Sequence, residues 1–267
     1  MMDDAERRAE RARIQRMHFA ACVEEMFDDY APTFEKSLVH ELGYNVFNDL
    51  PPLLEQAQQN ELMELRRRQE QEEVDEAEEE KEGDVQNHPF SEHLAVDLGC
   101  GTGLAGAALR SRCKGRLVGC DLSKKMLAVA RKKANVYDSL DACDAVAYLH
   151  RHIKPATADL IVAADVFVYM RDLSDLFDEV ATALRPGGFF AFSTEKATTE
   201  ETGGVPSSDG GKGWVERPSE RIAHSEEYLR WLAASQFRVC CLRETVVRRD
   251  SGTGLPGHLA VLVKVAN

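Results

Sequence analysis

Long hydrophobic runs are missing from this sequence of 267 residues. Its longest uninterrupted apolar stretches have five residues, as in Leu160 to Ala164, which ends at Asp165. A membrane-spanning helix needs roughly 18 such residues. Residues 1–16 mix acidic residues with arginines around no apolar centre, which predicts neither a secretory signal nor a transit peptide. We therefore expect no membrane span and a cytoplasmic location.

Zinc-type cysteine pairs are also missing. The chain has seven cysteines, but no two of them form a CxxC pair and none lies in a Cys/His cluster at zinc spacing. No stripe of Lys and Arg with interleaved aromatic residues is present, and the net charge is −13. The sequence therefore predicts no metal site, and a nucleic-acid partner is not expected.

The acidic charge is concentrated in one segment. Between Glu55 and Asp84 there are thirteen acidic and four basic residues, which contribute −9 of the net −13. This stretch has few apolar positions after Leu65, so any helix in it is polar nearly all round. A solvated helix that frays into disorder is one interpretation, and a docking segment for a protein partner is the alternative.

Composition divides the chain into three parts. These are a helical cap, an acidic helical or disordered insertion and a Rossmann-like domain, at residues 1–54, 55–90 and 91–267. Within the cap, Pro32 is predicted to end one helix and Gly43 a second, and Pro51 with Pro52 to open a third.

From residue 91 onward, short β-branched and apolar runs alternate with helical stretches, which is typical of βαβ units. The strands are predicted at residues 94–98, 116–121, 139–143, 158–164, 188–194, 238–247 and 258–265. A Gly/Ser-rich loop at 202–213 precedes the last two, which a Gly- and Pro-rich turn at 250–257 joins as an antiparallel pair. We predict an α/β fold with a doubly wound, mostly parallel seven-stranded sheet and an antiparallel C-terminal strand.

A glycine-rich turn follows the first predicted strand. Residues 95–103 read AVDLGCGTG, and glycines let the backbone turn sharply and approach a ligand without Cβ interference. The N–H groups at the start of the next helix favour polar or anionic ligand groups. Residues 101–106 also fit the GxGxxG dinucleotide pattern, and a tight turn with no ligand is a third interpretation.

Acidic residues follow the next two strands. Asp121 ends the second strand, where a carboxylate can accept both ribose hydroxyls of an adenosine-containing ligand. Asp144 follows the third strand, where a carboxylate can accept from an adenine amino group or cap the next helix. Ser123 is the natural N-cap of the helix after the second strand.

The combination of these features resembles class I S-adenosylmethionine-dependent methyltransferases. The resemblance rests on Asp97 two residues before Gly99, and on DLSKKML at 121–127, DLI at 159–161 and LRPGG at 184–188. It implies the family's Rossmann-like fold and S-adenosyl-L-methionine as cofactor, with the glycine turn at its methionine part and the acid of strand two at its ribose. The residues assigned to the cofactor are Asp97, Gly99, Cys100, Gly101, Gly103, Asp121, Leu122, Met126, Asp144 and Asp165.

A narrower resemblance is visible outside the glycine turn. The segments 27–34, 42–44, 164–169 and 221–228 are similar to a subgroup of predicted methyltransferases that includes TPR-repeat-linked members and the Williams–Beuren-region methyltransferase. The likeness covers about residues 17–54 and 91–265, and the chain shows no TPR repeat.

The methyl acceptor should lie beyond the carboxyl ends of the strands, where ligands of open α/β sheets bind. The candidate catalytic residues are Asp165, which ends the fourth strand beside this position, Tyr169 and His224. Tyr169 either lines the cleft or packs in the core. His224 is a candidate general base, because its ordinary pKa of about 6.5 suits proton removal near neutrality, and a surface or capping histidine is the alternative. Acceptor binding is assigned to Tyr30, Glu195 and Arg221. Tyr30 is a candidate for a lid over the site, with core packing as the alternative. Arg221 is a candidate partner for an acceptor carboxylate or phosphate, with a surface salt bridge as the alternative.

Three functions remain open at this point. The first is a methyltransferase with an unidentified acceptor, for which the helical cap favours a small molecule. The second is an NAD-dependent oxidoreductase, suggested by GxGxxG, although Asp97 and the LRPGG turn favour the first. The third is a non-catalytic cofactor-binding module that recruits a protein partner through residues 55–84.

Overall fold

The computed structural model describes residues 21–75, 94–207, 210–250 and 252–266. Its strands are β1 (Leu94–Leu98), β2 (Arg116–Asp121), β3 (Ser139–Ala142), β4 (Ala158–Ala163), β5 (Leu184–Ala197), β6 (Trp214–Glu216), β7 (Ile222–Ser225), β8 (Phe237–Asp250) and β9 (Thr253–Lys264). Its helices are α1 (Val46–Asp75), α2 (Leu104–Arg110), α3 (Lys124–Ala130), α4 (Ala145–His152), α5 (Ser174–Ala183), α6 (Thr199–Thr202) and α7 (Glu226–Ala233). Residues 21–30 are also helical, and a π-helical segment spans Lys36–Glu41. Within the described ranges, no helix is both long and apolar enough to cross a membrane.

These strands form one mixed sheet. β1 to β5 are parallel neighbours in the order β3-β2-β1-β4-β5, and β9 pairs antiparallel with both β5 and β8. The predicted parallel core and antiparallel C-terminal pair are therefore confirmed. Among the described residues, the sheet has nine strands rather than the predicted seven, because a short hairpin, β6–β7, follows the predicted loop. Strands of three and four residues are too short for their hydrophobic periodicity to be visible in the sequence.

The strand β7 lies at the carboxyl end of β4. Glu195 of β5 pairs with Ala223 of β7 and with Gly257 of β9, so these two neighbours lie on opposite edges of β5. The last pair between β4 and β5 joins Ala163 to Phe192. β7 therefore continues along the β4 edge of β5 past the point where β4 ends, above the carboxyl ends of the parallel strands.

The two faces of the sheet are covered by two hydrophobic clusters. In β5, Phe190 and Phe192 belong to the first cluster, and Phe189 and Ala191 belong to the second. β4 is buried along its whole length, which is typical of a central parallel strand with helices on both faces. Because both faces are closed by apolar packing, the strand ends are where polar side chains converge.

Helix α1 begins at Val46, before the predicted start at Pro51. Val46, Leu50 and Leu54 recur every four residues and are buried in the second cluster. Burial of this stripe outweighs the backbone hydrogen bonds that Pro51 and Pro52 cannot donate. The apolar spacing thus decides where the helix starts, and the prolines are tolerated in its early turns.

The predicted acidic insertion begins inside this same helix. Because α1 runs to Asp75, the predicted boundary between residues 54 and 55 falls within one continuous helix. Glu61 pairs with Arg238 of β8, which fixes this part of α1 to the domain. The rest of the predicted insertion, residues 76–90, lies outside the described residues.

Candidate active site

The glycine turn after β1 adopts a backbone that only glycine takes readily. Gly99, Gly101 and Gly103 have φ values of +60°, +54° and +86°, in the left-handed region where a Cβ atom is strained. A Cβ atom at Gly99 would lie 2.6 Å from Val166, whereas one at Gly101 would meet nothing within 4 Å. The turn is therefore packed at Gly99 and open at Gly101, which leaves room for a ligand against the backbone.

Asp121 at the end of β2 holds this turn. Its carboxylate accepts hydrogen bonds from the N–H of Gly101 at 2.9 Å and from the N–H of Ser123 at 2.8 Å. Burial raises the pKa of Asp121, against these two hydrogen bonds, which lower it. A carboxylate offers about four lone-pair positions, so hydroxyl donors can still bind. Ser123 caps α3 by accepting from the N–H of Met126 at 3.0 Å, as predicted.

Asp97 lies beneath the turn and is almost fully buried. Burial raises its pKa to about 7, although a hydrogen bond from the Tyr137 hydroxyl at 2.6 Å favours the ionised form. Tyr137 also packs on Gly106, where a Cβ atom would lie 2.2 Å from the hydroxyl oxygen. The last glycine of the GxGxxG pattern is thus explained by tyrosine packing. Tyr137 was not predicted from the sequence, because it lies in a loop before β3 and belongs to no motif.

The other residues assigned to the cofactor have two different environments. Cys100, Leu122 and Met126 sit in the glycine turn or at the start of α3, and Leu122 is the most exposed of the three. Asp144 instead caps α4, where its Oδ1 atom accepts from two N–H groups at 3.0 and 3.1 Å. This geometry favours the capping alternative for Asp144, because it explains the position of the carboxylate without a ligand.

The N-terminal segment lies over these strand ends. Asp28 accepts from the Ser123 hydroxyl at 2.6 Å and from the N–H of Lys125 at 3.1 Å, so this segment sits on the start of α3. Tyr30 packs edge to face on Phe34, with ring centroids 5.4 Å apart. The structure thus places Tyr30 in the segment that covers the site, beside an aromatic partner.

Asp165 follows β4 in a strained backbone conformation. Its φ of +60° costs a non-glycine residue about 1–3 kcal/mol and is typical of functional sites. Its N–H donates to the Ser193 hydroxyl at 2.9 Å, and the next residue, Val166, packs against Gly99. Burial raises the pKa of Asp165, and the charge of Arg221 opposes this rise. The strained turn therefore connects the glycine turn to the predicted acceptor side.

Arg221 brings the acceptor-side residues together. It donates to Asp165, to the Tyr169 hydroxyl at 2.8 Å and to Glu195 at 2.7 Å. It directly precedes β7, whose position above β4 explains why these side chains meet. Burial raises the pKa of Tyr169 to about 12, so its hydroxyl is neutral at pH 7. Four residues that the sequence singled out separately thus form one cluster.

Arg248 is a further member of this cluster and was not predicted from the sequence. It lies near the end of β8 and donates to Glu195 Oε1 at 3.2 Å. Residues 246–250 read VVRRD, which has no feature that distinguishes one arginine from the next. Only the pairing of β8 with β9 and of β9 with β5 brings this side chain to the site.

His224 lies outside the cluster, and its geometry does not fit a general base. It is fully buried in β7, with Nδ1 2.9 Å from the Thr194 hydroxyl and Nε2 3.1 Å from the carbonyl oxygen of Arg171. Because a carbonyl only accepts, Nε2 donates and Nδ1 accepts from Thr194. Burial lowers the pKa of His224 to about 4. Both nitrogens are engaged within the protein, so we replace the predicted base role with a structural one.

The sequence of this chain is similar to those of known methyltransferases. Residues 96–192 match the family model described as a methyltransferase domain. A malonyl-[acyl-carrier protein] O-methyltransferase from Halalkalibacterium halodurans is 31% identical over 119 residues, which are 43% of this chain and 43% of that protein. A ubiquinone biosynthesis O-methyltransferase from Idiomarina loihiensis is 28% identical over 162 residues, or 57% of this chain and 65% of that protein. The chain thus covers less than two thirds of either relative.

Solved structures are similar in fold. A SAM-dependent methyltransferase from Methanosarcina mazei superposes with a TM-score of 0.52 at 17% identity, over 66% of this chain and 94% of the other. The geranyl diphosphate C-methyltransferase of Streptomyces coelicolor A3(2) gives a TM-score of 0.52 at 18% identity, over 67% of this chain and 73% of the other. The fold is therefore the Rossmann-like fold of class I methyltransferases, as predicted.

Proposed function

We propose that this chain is an S-adenosylmethionine-dependent methyltransferase. The observation that carries the proposal is the open glycine turn after β1, whose Gly101 N–H donates to the Asp121 carboxylate at the end of β2. The match of residues 96–192 to a methyltransferase domain supports it. The antiparallel strand β9 beside β5 supports the same choice over an NAD-dependent oxidoreductase.

The residues at this turn fit the chemistry of the proposed cofactor. Gly101 offers an open backbone, and the free lone pairs of Asp121 suit the ribose hydroxyls. Asp97 lies beneath the same turn with its carboxylate anchored by Tyr137. When bound, S-adenosylmethionine supplies a methyl group on a sulfonium, which is a good leaving group. The chain then needs to hold the acceptor in line and to exclude water.

The acceptor side is closed by the N-terminal segment. Phe27 packs edge to face on Tyr169, with ring centroids 5.2 Å apart, while Asp28 on the same segment bonds to Ser123. One segment therefore contacts the cofactor side and the acceptor side together, which suits the exclusion of water from the reaction. Because His224 is engaged elsewhere, we propose no dedicated base, and none is needed for an acceptor that is already deprotonated.

We further propose that the acceptor is a small molecule methylated on oxygen. The closure of the acceptor side by aromatic residues supports a small, enclosed acceptor. The names of the two curated relatives, both O-methyltransferases, support oxygen as the accepting atom. The likeness to the TPR-linked and Williams–Beuren-region subgroup, the cytoplasmic location and a protein partner at residues 55–84 stay predictions.

Calorimetric titration with S-adenosylmethionine tests the proposed function, with NAD and NADP as competing ligands. We expect saturable binding that weakens by about 1.5–3 kcal/mol in Asp121→Ala, the range for a lost hydrogen bond to a charged group. Glu227→Gln, which changes an exposed carboxylate on α7, is the matched control and should bind like the wild type. Binding of NAD in place of S-adenosylmethionine, or equal binding by Asp121→Ala, would contradict the proposal.

A further inference from the structure

Two buried guanidinium groups share one carboxylate oxygen at the carboxyl end of β5. Glu195 Oε1 accepts from Arg221 Nε at 2.7 Å and from Arg248 Nη2 at 3.2 Å. Each arginine side chain is 11% exposed and Glu195 is 7% exposed. Glu195 therefore holds both arginines at one edge of the proposed acceptor side.

The two arginines differ in how many donors remain free. Arg221 uses its Nε for Glu195, one terminal nitrogen for Tyr169 and the other for Asp165. Arg248 bonds only to Glu195 among the described residues, through Nε and Nη2. Since a guanidinium carries five N–H donors, Arg248 keeps both N–H groups of Nη1 and one of Nη2. All three nitrogens of the Arg221 guanidinium are thus bonded to protein groups. The Arg248 guanidinium keeps N–H donors on its Nη1 and Nη2 atoms that can bind a ligand.

A β-bulge turns Arg248 toward the site. Along β8, Val246 is exposed and Val247 is buried, so regular alternation would return residue 248 to the exposed side. The register of β8 against β9 shifts between Val246 and Arg248, and Arg248 is almost buried against Glu195 instead. Bulges re-aim side chains in this way and occur next to active sites.

On the Arg221 side, the cluster is bordered by aromatic rings. The Arg221 guanidinium carbon lies 5.2 Å from the centre of the Tyr169 ring, and Phe27 packs on the same tyrosine. The free guanidinium edge of Arg248 and the aromatic rings at the neighbouring Arg221 together suit an anion carried on an apolar body.

We propose that Arg248 binds a carboxylate of the methyl acceptor through its free Nη edge, so that the acceptor is a carboxylic acid with an apolar body. Planar guanidinium groups bind carboxylates in a bidentate manner, which also fixes the orientation of the acceptor. Arg221 acts as a positioning residue, since it holds Asp165, Tyr169 and Glu195 in place. This inference rests on the proposed function and narrows its acceptor class.

The test uses the full chain saturated with S-adenosylhomocysteine, so that binding is measured without turnover. Acetate, benzoate and decanoate are titrated calorimetrically, each against its neutral amide. We expect benzoate or decanoate to bind at least ten-fold more tightly than its amide, and this preference to be lost in Arg248→Gln. Arg248→Lys keeps the positive charge but loses the planar guanidinium, so this variant should bind the acids with intermediate affinity. Arg243→Gln, an exposed arginine on the same strand, should stay within two-fold of the wild type.

Three results would overturn the inference. They are a wild-type protein that binds every acid no better than its amide, an acid preference that persists in Arg248→Gln, and phenyl phosphate that binds more tightly than benzoate. If Arg248→Gln no longer folds, the comparison of Arg248→Lys with Arg243→Gln decides. Loss of S-adenosylhomocysteine binding by the wild type would instead contradict the proposed function, so the two failures are distinguishable.

Discussion

Replacing Asp97 with asparagine removes a buried charge while keeping the shape of the side chain and an acceptor for Tyr137. Burial raises the pKa of Asp97 from its ordinary 3.8 to about 7. A carboxyl whose folded-state pKa is raised stabilises the fold fully below its unfolded-state pKa, and this contribution is lost as the pH rises through 7. At 1.36 kcal/mol per pKa unit, the difference between the folded-state and unfolded-state pKa values corresponds to about 4 kcal/mol of unfolding free energy. About 2.5 kcal/mol of this contribution is lost between pH 5 and pH 8.

Urea unfolding between pH 5 and pH 8 checks this expectation. The free energy of unfolding of the wild type should fall by about 2.5 kcal/mol relative to Asp97→Asn over this range, while the variant binds S-adenosylmethionine more weakly. Glu227→Gln, which removes an exposed carboxylate, should follow the wild type. If the difference in unfolding free energy between wild type and Asp97→Asn is the same at pH 5 and pH 8, the burial of Asp97 does not raise its pKa, and the prediction is wrong.

Gly106→Ala places a Cβ atom 2.2 Å from the Tyr137 hydroxyl oxygen, so we expect urea denaturation to show a loss of about 1–3 kcal/mol. The same substitution in a Tyr137→Ala background should cost much less, and an equal cost in both backgrounds would argue against the packing explanation. His224 should stay neutral on acidification to about pH 5 in an NMR titration of histidine ring carbons, since burial lowers its pKa to about 4. A histidine with a lowered folded-state pKa stabilises the fold above its unfolded-state pKa and loses this contribution as the pH falls; a His224 midpoint near 6.5 would contradict the buried environment.

Local features of the fold and the cofactor side were predictable from the sequence. The glycines at 99, 101 and 103 are required by a left-handed backbone, and Ser123 is required as a cap, so both appear as residue types at fixed spacing. The start of α1 was predicted wrongly, because Pro51 and Pro52 were weighed above the buried stripe that includes Val46. The hairpin β6–β7 was missed because its strands are too short to show a period.

The acceptor side depended on contacts between distant parts of the chain. Asp165, Glu195 and Arg221 were each predicted as site residues, but the sequence did not indicate that Arg221 would bond to the other two. No feature of the sequence pointed to Arg248. His224 was predicted as a base from the ordinary pKa of histidine, which does not take its burial in β7 into account. Whether an ionisable side chain is free or already paired depends on its neighbours in space.

Residue types and their spacing along the chain predicted the turn, the acid at the end of β2 and the alternation of strands and helices, because backbone conformation, capping and periodic burial act over a few residues. The composition of the proposed acceptor side, in contrast, followed only from the folded sheet. Strand order and register bring Asp165, Glu195, Arg221 and Arg248 together from separate parts of the chain, and a bulge in β8 re-aims the last of them. Such contacts are fixed by the packing of the whole sheet, which no local residue pattern encodes.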